Sequence, residues 1–528
     1  MGVAPRSEDV PSSGGAQRRS RISQCEPGAR SEMTYPLGNN GHPNQRMAGN
    51  KGYANHDMNN PQLTTGSTAR HLVRMTLPMF VGISSMIVAS MIDIIYIGWL
   101  GSLELAAISF TFPLVMGLVT LSMGIGVGAA SIIARLAGQG DHRRVRRLAT
   151  HALLLATLLV ATLSALMYAF QAPIFRLLGA DEAVLPLIIE YMSIWIAGQP
   201  LFTLPMVATM IMRATGHARA PAWVMGGSAI LQVGLAPALI FGLPGHWDGL
   251  GLAGAAWAFV SSRGVTFLIA LGLLLRMRLL NFQTMSVGAI WASWREVLAI
   301  GIPSAMNNLI SPASLAITVA LLAGHSHAVV AGFGVASRVE SLATMVLMAL
   351  SASTGPFVGQ NWGARRYGRI HEAHRLAYRF ALGYGVVVCV VLALWGQPLA
   401  ALIIDDEAVV DATYAYLLIV PVTYGLLGVS MIAGATFTAL GKPIPTLLLS
   451  LGRMVVFYLP LALAGDRLFG FVGIYGAAAL ANLLIAILSA IWLQRHLRRY
   501  TPAGRVSRPN PTNQTAGSAA PLAVPRSE

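Results

Sequence analysis

Charge is scarce in this sequence. Only 11% of its 528 residues are Asp, Glu, Lys or Arg, where soluble globular domains carry about 25%. That excludes a water-soluble enzyme and a disordered chain, and leaves lipid as the solvent. Cysteine is nearly absent. Cys25 and Cys389 are the only two, and neither has a metal-ligand neighbour, so neither a disulfide framework nor a thiolate metal site is implied. No Walker A motif appears, which removes ATP as the direct energy source. The first residues lack the apolar stretch of a cleavable signal peptide. The clustered His or Asp that an integral-membrane enzyme needs at the membrane face is missing too.

Apolar residues are abundant, at 55%. Residues 1–69 and 500–528 stand apart as polar stretches without apolar period. They bury too little surface to offset ordering entropy and are expected to be disordered tails. Between them twelve segments reach the roughly 20 apolar residues of a bilayer span. They are 72–99, 105–134, 148–171, 184–212, 221–243, 252–275, 297–323, 328–358, 377–396, 408–438, 443–465 and 470–493. Runs this long without strand alternation exclude a barrel, leaving an all-α integral membrane protein.

Basic residues set the orientation. The even-numbered connections hold seventeen Lys and Arg, beginning with Arg135 and Arg143 and ending with Lys442 and Arg453. The odd ones hold Arg176 and Arg467 among acids such as Glu104, Asp181 and Asp405. Both termini are therefore expected in the cytoplasm, with the spans in the plasma (inner) membrane. The net charge of +15 is then a topology signal, and no nucleic-acid partner is expected.

The chain also repeats itself. Gly138-Gln139-Gly140 recurs as Gly359-Gln360-Asn361, Leu77-Pro78 as Ile302-Pro303, Gly251-Leu-Ala-Gly254 as Gly473-Ile-Tyr-Gly476, and Gly216 as Gly441, at a nearly constant offset. Six spans per repeat give both halves the same orientation, related by a pseudo-twofold along the membrane normal. Expected are two six-helix bundles, 70–280 and 281–499, with substrate between them, as in secondary transporters.

Several segments resemble the MATE (multidrug and toxic compound extrusion) family. They are Met91-Ile-Asp93-Ile-Ile-Tyr-Ile-Gly98, Arg213-Ala-Thr-Gly216, Leu235-Ala-Pro237, Gly359-Gln-Asn-Trp-Gly363 and Ala439-Leu-Gly441-Lys442-Pro443. Arg338-Val-Glu340 leans toward bacterial branches. The resemblance covers about residues 72–495. It implies antiport of amphipathic organic cations and drugs against H⁺, or less favourably Na⁺, by a monomer without a cofactor.

Asp93 is the candidate coupling group. An acid within a span is a functional-site hypothesis by default. A proton and a cationic substrate would occupy it by turns, the simplest antiport chemistry. Where the family places an Asn and an Asp on the fifth span, this chain has Gln232 and Ala236. The missing carboxylate weakens a Na⁺ site and favours protons. Glu340 is the second deep acid. It serves either as a second coupling or drug-contact group, or as a packing partner of Arg263 or Arg338.

Candidate cavity residues are Tyr96, Phe110, Phe112, Gln199 and Phe202 in the first half, and Asn307, Asn308 and Ser311 in the second. Pro78 and Pro303 occupy equivalent places and are candidate hinges. Gly124-Ile-Gly126-Val-Gly128-Ala129 mimics a dinucleotide fingerprint but lies within a span, where close helix packing is the better reading. The alternative function is a lipid-linked precursor flippase, which would need a cationic cavity for pyrophosphate. Only Arg263 and Arg338 are read as buried arginines, which argues against it.

Overall fold

The computed structural model describes residues 63–243, 247–283, 286–402 and 405–500. Twelve helices in them are long and apolar enough to cross a membrane. The first six are α1 (Thr68–Gly98), α2 (Ser102–Gln139), α3 (His142–Leu177), α4 (Leu185–Ala214), α5 (Arg219–Phe241) and α6 (Gly251–Arg276). The second six are α7 (Val287–Leu322), α8 (His327–Gly363), α9 (Tyr367–Ala401), α10 (Glu407–Ala439), α11 (Pro443–Phe469) and α12 (Phe471–Arg498). A two-residue hairpin pairs β1 (Gly242–Leu243) with β2 (Trp247–Asp248) between α5 and α6. The protein is an all-α membrane protein of two six-helix bundles.

Several helices run past the apolar segments into the connections, because local chemistry sets their ends. Asp141 caps α3 by accepting from the Arg144 amide at 3.0 Å, and Ser286 and Ser326 do the same for α7 and α8. These side-chain oxygens satisfy amides that the helix leaves without partners. Gly140, at φ +78°, ends α2 in the left-handed region that only glycine enters freely.

The two lobes meet through α1 against α8, α2 against α7 and α8, α4 against α8, and α2 against α10. Small residues make this possible. Gly124 and Gly128 of α2 pack on the backbone of α7 at Val297, Gly301 and Ala305. Gly138 packs on the Gln360 backbone, and Gly363 on the Arg135 carbonyl. Arg135 donates to the Ala439 carbonyl at 3.1 Å, Ser131 to that of Thr438 at 2.6 Å, and the Gln360 amide to that of Ala214 at 2.9 Å. All these contacts lie in the half nearer the basic connections. The glycine run that mimicked a dinucleotide site is thus a helix-crossing surface.

Order begins before α1, inside the stretch read from sequence as tail. Leu63 is 1% exposed, and its amide donates to Gln360 Oε1 at 3.1 Å. Asn361 donates to the Leu63 carbonyl at 3.2 Å, Arg366 to that of Thr64 at 2.7 Å, and Arg369 to that of Gly66 at 2.6 Å. A turn outside any helix has no helical partners for its backbone, and these α8 and α9 side chains supply them. Arg369→Ala removes the largest share. Hydrogen exchange at residues 63–67 is expected to accelerate about tenfold or more, with the thermal midpoint unchanged. Unaltered protection in hydrogen-exchange mass spectrometry would contradict the assignment. The rest of the expected tails, 1–62 and 501–528, lies outside the described residues.

Candidate functional site

In the first lobe an amide joins an interior acid to an interior base. Asp93 sits half-buried on α1, and Gln232 on α5 donates through Nε2 to its carboxylate. The same amide accepts through Oε1 from Arg263 Nη2 of α6 at 3.1 Å, and Arg263 Nη1 donates to Ser228 Oγ at 2.7 Å. A carboxylate accepts and a guanidinium donates, so the amide has one possible orientation. Ser228 and Gln232 are four residues apart and present one face of α5 to this centre.

Aromatic rings line it. The Arg263 guanidinium lies 5.3 Å from the Phe202 ring centre and 5.0 Å from that of Phe259. Trp195 stacks on Phe259 at 5.8 Å and 23°, and Phe202 approaches Phe259 at 5.8 Å. Trp195, Gln199 and Phe202 follow helical spacing, so α4 offers them on one face. Arg263 Nε and both amide atoms of Gln199 are buried without hydrogen-bond partners among the described residues. Buried polar atoms of this kind call for an explanation.

The second lobe holds a comparable centre built from different helices. Glu340 of α8 accepts from the Tyr416 hydroxyl of α10, and Arg453 of α11 lies within electrostatic reach of it. Arg453 donates to Asn482 Oδ1 at 3.1 Å, and Asn482 to Thr423 Oγ1 at 3.2 Å. Tyr458 bonds Thr318, the counterpart of Asp93 in the second repeat, at 2.7 Å. Arg453 and Tyr458 lie in a π-helical turn, Gly452–Tyr458. Such turns are rare and concentrate at functional sites.

The expected residues are thus partly assembled. Asp93, Gln232 and Phe202 converge, and Gln199 shares their α4 face. Tyr96 instead packs on Trp99 at 5.6 Å and on the Ala236, Ile240 and Ala258 cluster. Phe110 packs against the cluster around Phe175, while Phe112 and Ser311 are exposed. Asn307 and Asn308 are half-buried, with Asn307 Oδ1 unpartnered among the described residues. Pro78 and Pro303 lie inside unbroken helices.

Three readings need correction. Glu340 pairs with neither Arg263 nor Arg338, because α10 and α11 bring Tyr416 and Arg453 to it. Arg338 is exposed, whereas Arg213, Arg263 and Arg453 are set into the helix bundle. Arg453 also leaves the tally of basic connections, since it lies within the eleventh span. Missed altogether were Arg263 as the partner of Gln232, together with Ser228 and Phe259. Polar and aromatic pairs four apart on apolar helices, Ser228/Gln232 and Phe259/Arg263, were the available signal.

A family model described as MatE matches this chain twice, over residues 78–238 and 303–463. The chain belongs to the MATE family. The two matches open on Pro78 and Pro303, the paired prolines of the internal repeat, so each lobe is one family repeat. A Shewanella oneidensis protein named FAD transporter is 37% identical over 438 residues, covering 82% of this chain and 96% of its own. The multidrug export protein MepA of Staphylococcus aureus is 24% identical over 429 residues, covering 80% and 92%. Among solved structures, the Vibrio cholerae MATE transporter VcmN in its bent form superposes with a TM-score of 0.78 at 28% identity, covering 83% of this chain and 99% of that one. A Pyrococcus furiosus MOP-superfamily transporter, described for a binding pocket of reverse polarity, gives 0.77 at 25% identity, covering 84% and 98%. This MATE protein is a multi-pass membrane transporter and not an enzyme.

Proposed function

We propose that this MATE protein exports a compound of the flavin dinucleotide class by alternating access between its lobes, with protonation of Asp93 as the coupling event. The observation that carries this reading is the Asp93–Gln232–Arg263 chain beside the Phe202, Phe259 and Trp195 rings. Flat rings suit a flavin or adenine, and a guanidinium suits a phosphate. Identity of 37% across 96% of a protein named FAD transporter supports the same class. The flippase alternative lacks comparable support.

Proton coupling is favoured over Na⁺ by the donor set. Sodium wants several hard oxygens, whereas Ala236 supplies none and Arg263 already places a cation beside Asp93. Basic connections on one side support a cytoplasmic placement of both termini, in which the lobes are closed together on the cytoplasmic side.

A second reading, antiport of organic cations, is favoured by the half-buried Asp93 carboxylate amid aromatic faces. One experiment separates the two. The protein is reconstituted in vesicles under an imposed pH or Na⁺ gradient, and FAD and ethidium are followed. FAD movement that responds to the pH gradient and not to Na⁺ is expected. Ethidium movement without FAD movement would overturn the flavin reading in favour of the cation one, and movement of neither would sink both.

A further inference from the structure

Two interior side chains of the first lobe, Arg263 and Gln199, keep buried polar atoms without partners among the described residues. Arg263 is fixed by Ser228 and Gln232 on one edge, while its Nε is buried and unpartnered. One turn from Phe202, Gln199 is 0% exposed with its amide oxygen and nitrogen both unpartnered. Donors left this way are destabilising unless something else satisfies them. Arg263 faces the Phe202 and Phe259 rings, and Gln199 shares its face of α4 with Trp195 and Phe202. Unsatisfied donors beside a set of ring faces match a ligand with an anionic oxygen attached to a flat heterocycle.

We propose that Arg263 is a phosphate ligand of the substrate, and that Asp93 competes with that phosphate for the same guanidinium. The proposal rests on the flavin-dinucleotide reading and sharpens it. In the unloaded site, Gln232 relays the Arg263 charge to the Asp93 carboxylate. An arriving phosphate draws on that charge and leaves Asp93 as an uncompensated anion inside the membrane. A proton on Asp93 removes the conflict. Substrate and proton therefore bind together, by reciprocal linkage.

The sign is opposite to that for a cation, which would displace the proton. The neighbouring groups allow this. Tyr191 of α4 lies within electrostatic reach of Asp93. The other charged residues of the surrounding helices, among them Glu104 and Arg135 of α2, Arg213 of α4, Arg219 of α5 and Arg276 of α6, stand toward the helix ends. Arg263 is the cation that the amide relay connects to Asp93.

Flavin fluorescence, quenched by stacking on an aromatic ring, gives the test on the purified full chain in lipid nanodiscs. FAD and riboflavin, which has the ring but no phosphate, are titrated at several pH values. FAD affinity is expected to rise as pH falls. Arg263→Gln should weaken FAD binding tenfold or more while changing riboflavin less than twofold, and Arg263→Lys should recover part of the loss. Asp93→Asn should tighten FAD binding and flatten its pH dependence.

Equal losses for FAD and riboflavin in Arg263→Gln would make Arg263 a packing residue and overturn the proposal. So would FAD affinity that falls with falling pH, or is unchanged in Asp93→Asn. Should Arg263→Gln not fold, the Asp93→Asn and Arg263→Lys arms decide. FAD binding by the wild type with any of these failures leaves the flavin reading standing without Arg263. No FAD binding by the wild type removes the flavin reading itself.

Discussion

Asp93→Asn will lower the pH-gradient-dependent component of transport in vesicles at least tenfold, while the protein remains folded. Asn keeps the shape of Asp and still accepts from Gln232 Nε2, so the α1–α5 contact survives. What it loses is the ability to alternate between a charged and a neutral form. A ligand shifts a conformational equilibrium only through a difference in its affinity for the two states. If the proton is that ligand, the variant has no such difference left to use. The thermal midpoint should stay close to that of the wild type, because no core atom is removed. Asp93→Glu keeps the charge but pushes one methylene further toward Gln232, and should retain part of the coupled transport. The measurement is flux with and without an imposed pH gradient. Full proton-dependent flux in Asp93→Asn would remove Asp93 from the mechanism, whatever the substrate.

Gly138→Leu will have a second large effect, by a mechanical route. A side chain there has no room, since even a Cβ would collide with the Gln360 carbonyl across the lobe boundary. Gly363 meets the Arg135 carbonyl in the same way, so Gly363→Leu should reproduce the result from the other lobe. The second lobe keeps its own core, because the cluster around Tyr424 lies wholly within it and away from the contact. The expected outcome is normal insertion and near-normal melting, with flux reduced more than tenfold because the basic side no longer closes. Spin labels on Arg143→Cys and Gly368→Cys, both exposed, in a chain with Cys25 and Cys389 replaced, should report a longer distance in Gly138→Leu. An unchanged distance with full flux would show that the contact is not a gate.

Much of the architecture is legible in the sequence alone. Long apolar runs with few charges have one solution in lipid, and the helices from Thr68 to Arg498 follow it. Glycine and proline markers recurring at a near-constant offset foretold the repeat, because punctuation of helices survives where apolar filler drifts. Span ends were less legible. Capping by Asp141, Ser286 and Ser326 carries helices beyond the apolar window, and hydropathy does not register it. The Leu63–Gly66 segment was unreadable as ordered, since its order comes from Arg366 and Arg369, in the other half of the chain.

Asp93 could be singled out from sequence because an acid in hydrocarbon has no bland neighbours to hide among. Its environment could not. Arg263, on the sixth span, reaches it only because α5 and α6 pack together and Gln232 spans the gap. Glu340 shows the same limit more sharply: Arg338 was near in sequence but points away, and Arg453 was distant but lies within electrostatic reach of it. Sequence by itself determined that this chain spans a membrane twelve times in two like halves, because hydrophobic length and charge placement are local properties that bilayer solvation reads directly. Tertiary structure alone decided which charges share a site, because pairing inside a bundle depends on which helix faces meet, and those faces are selected by packing between segments far apart in the chain.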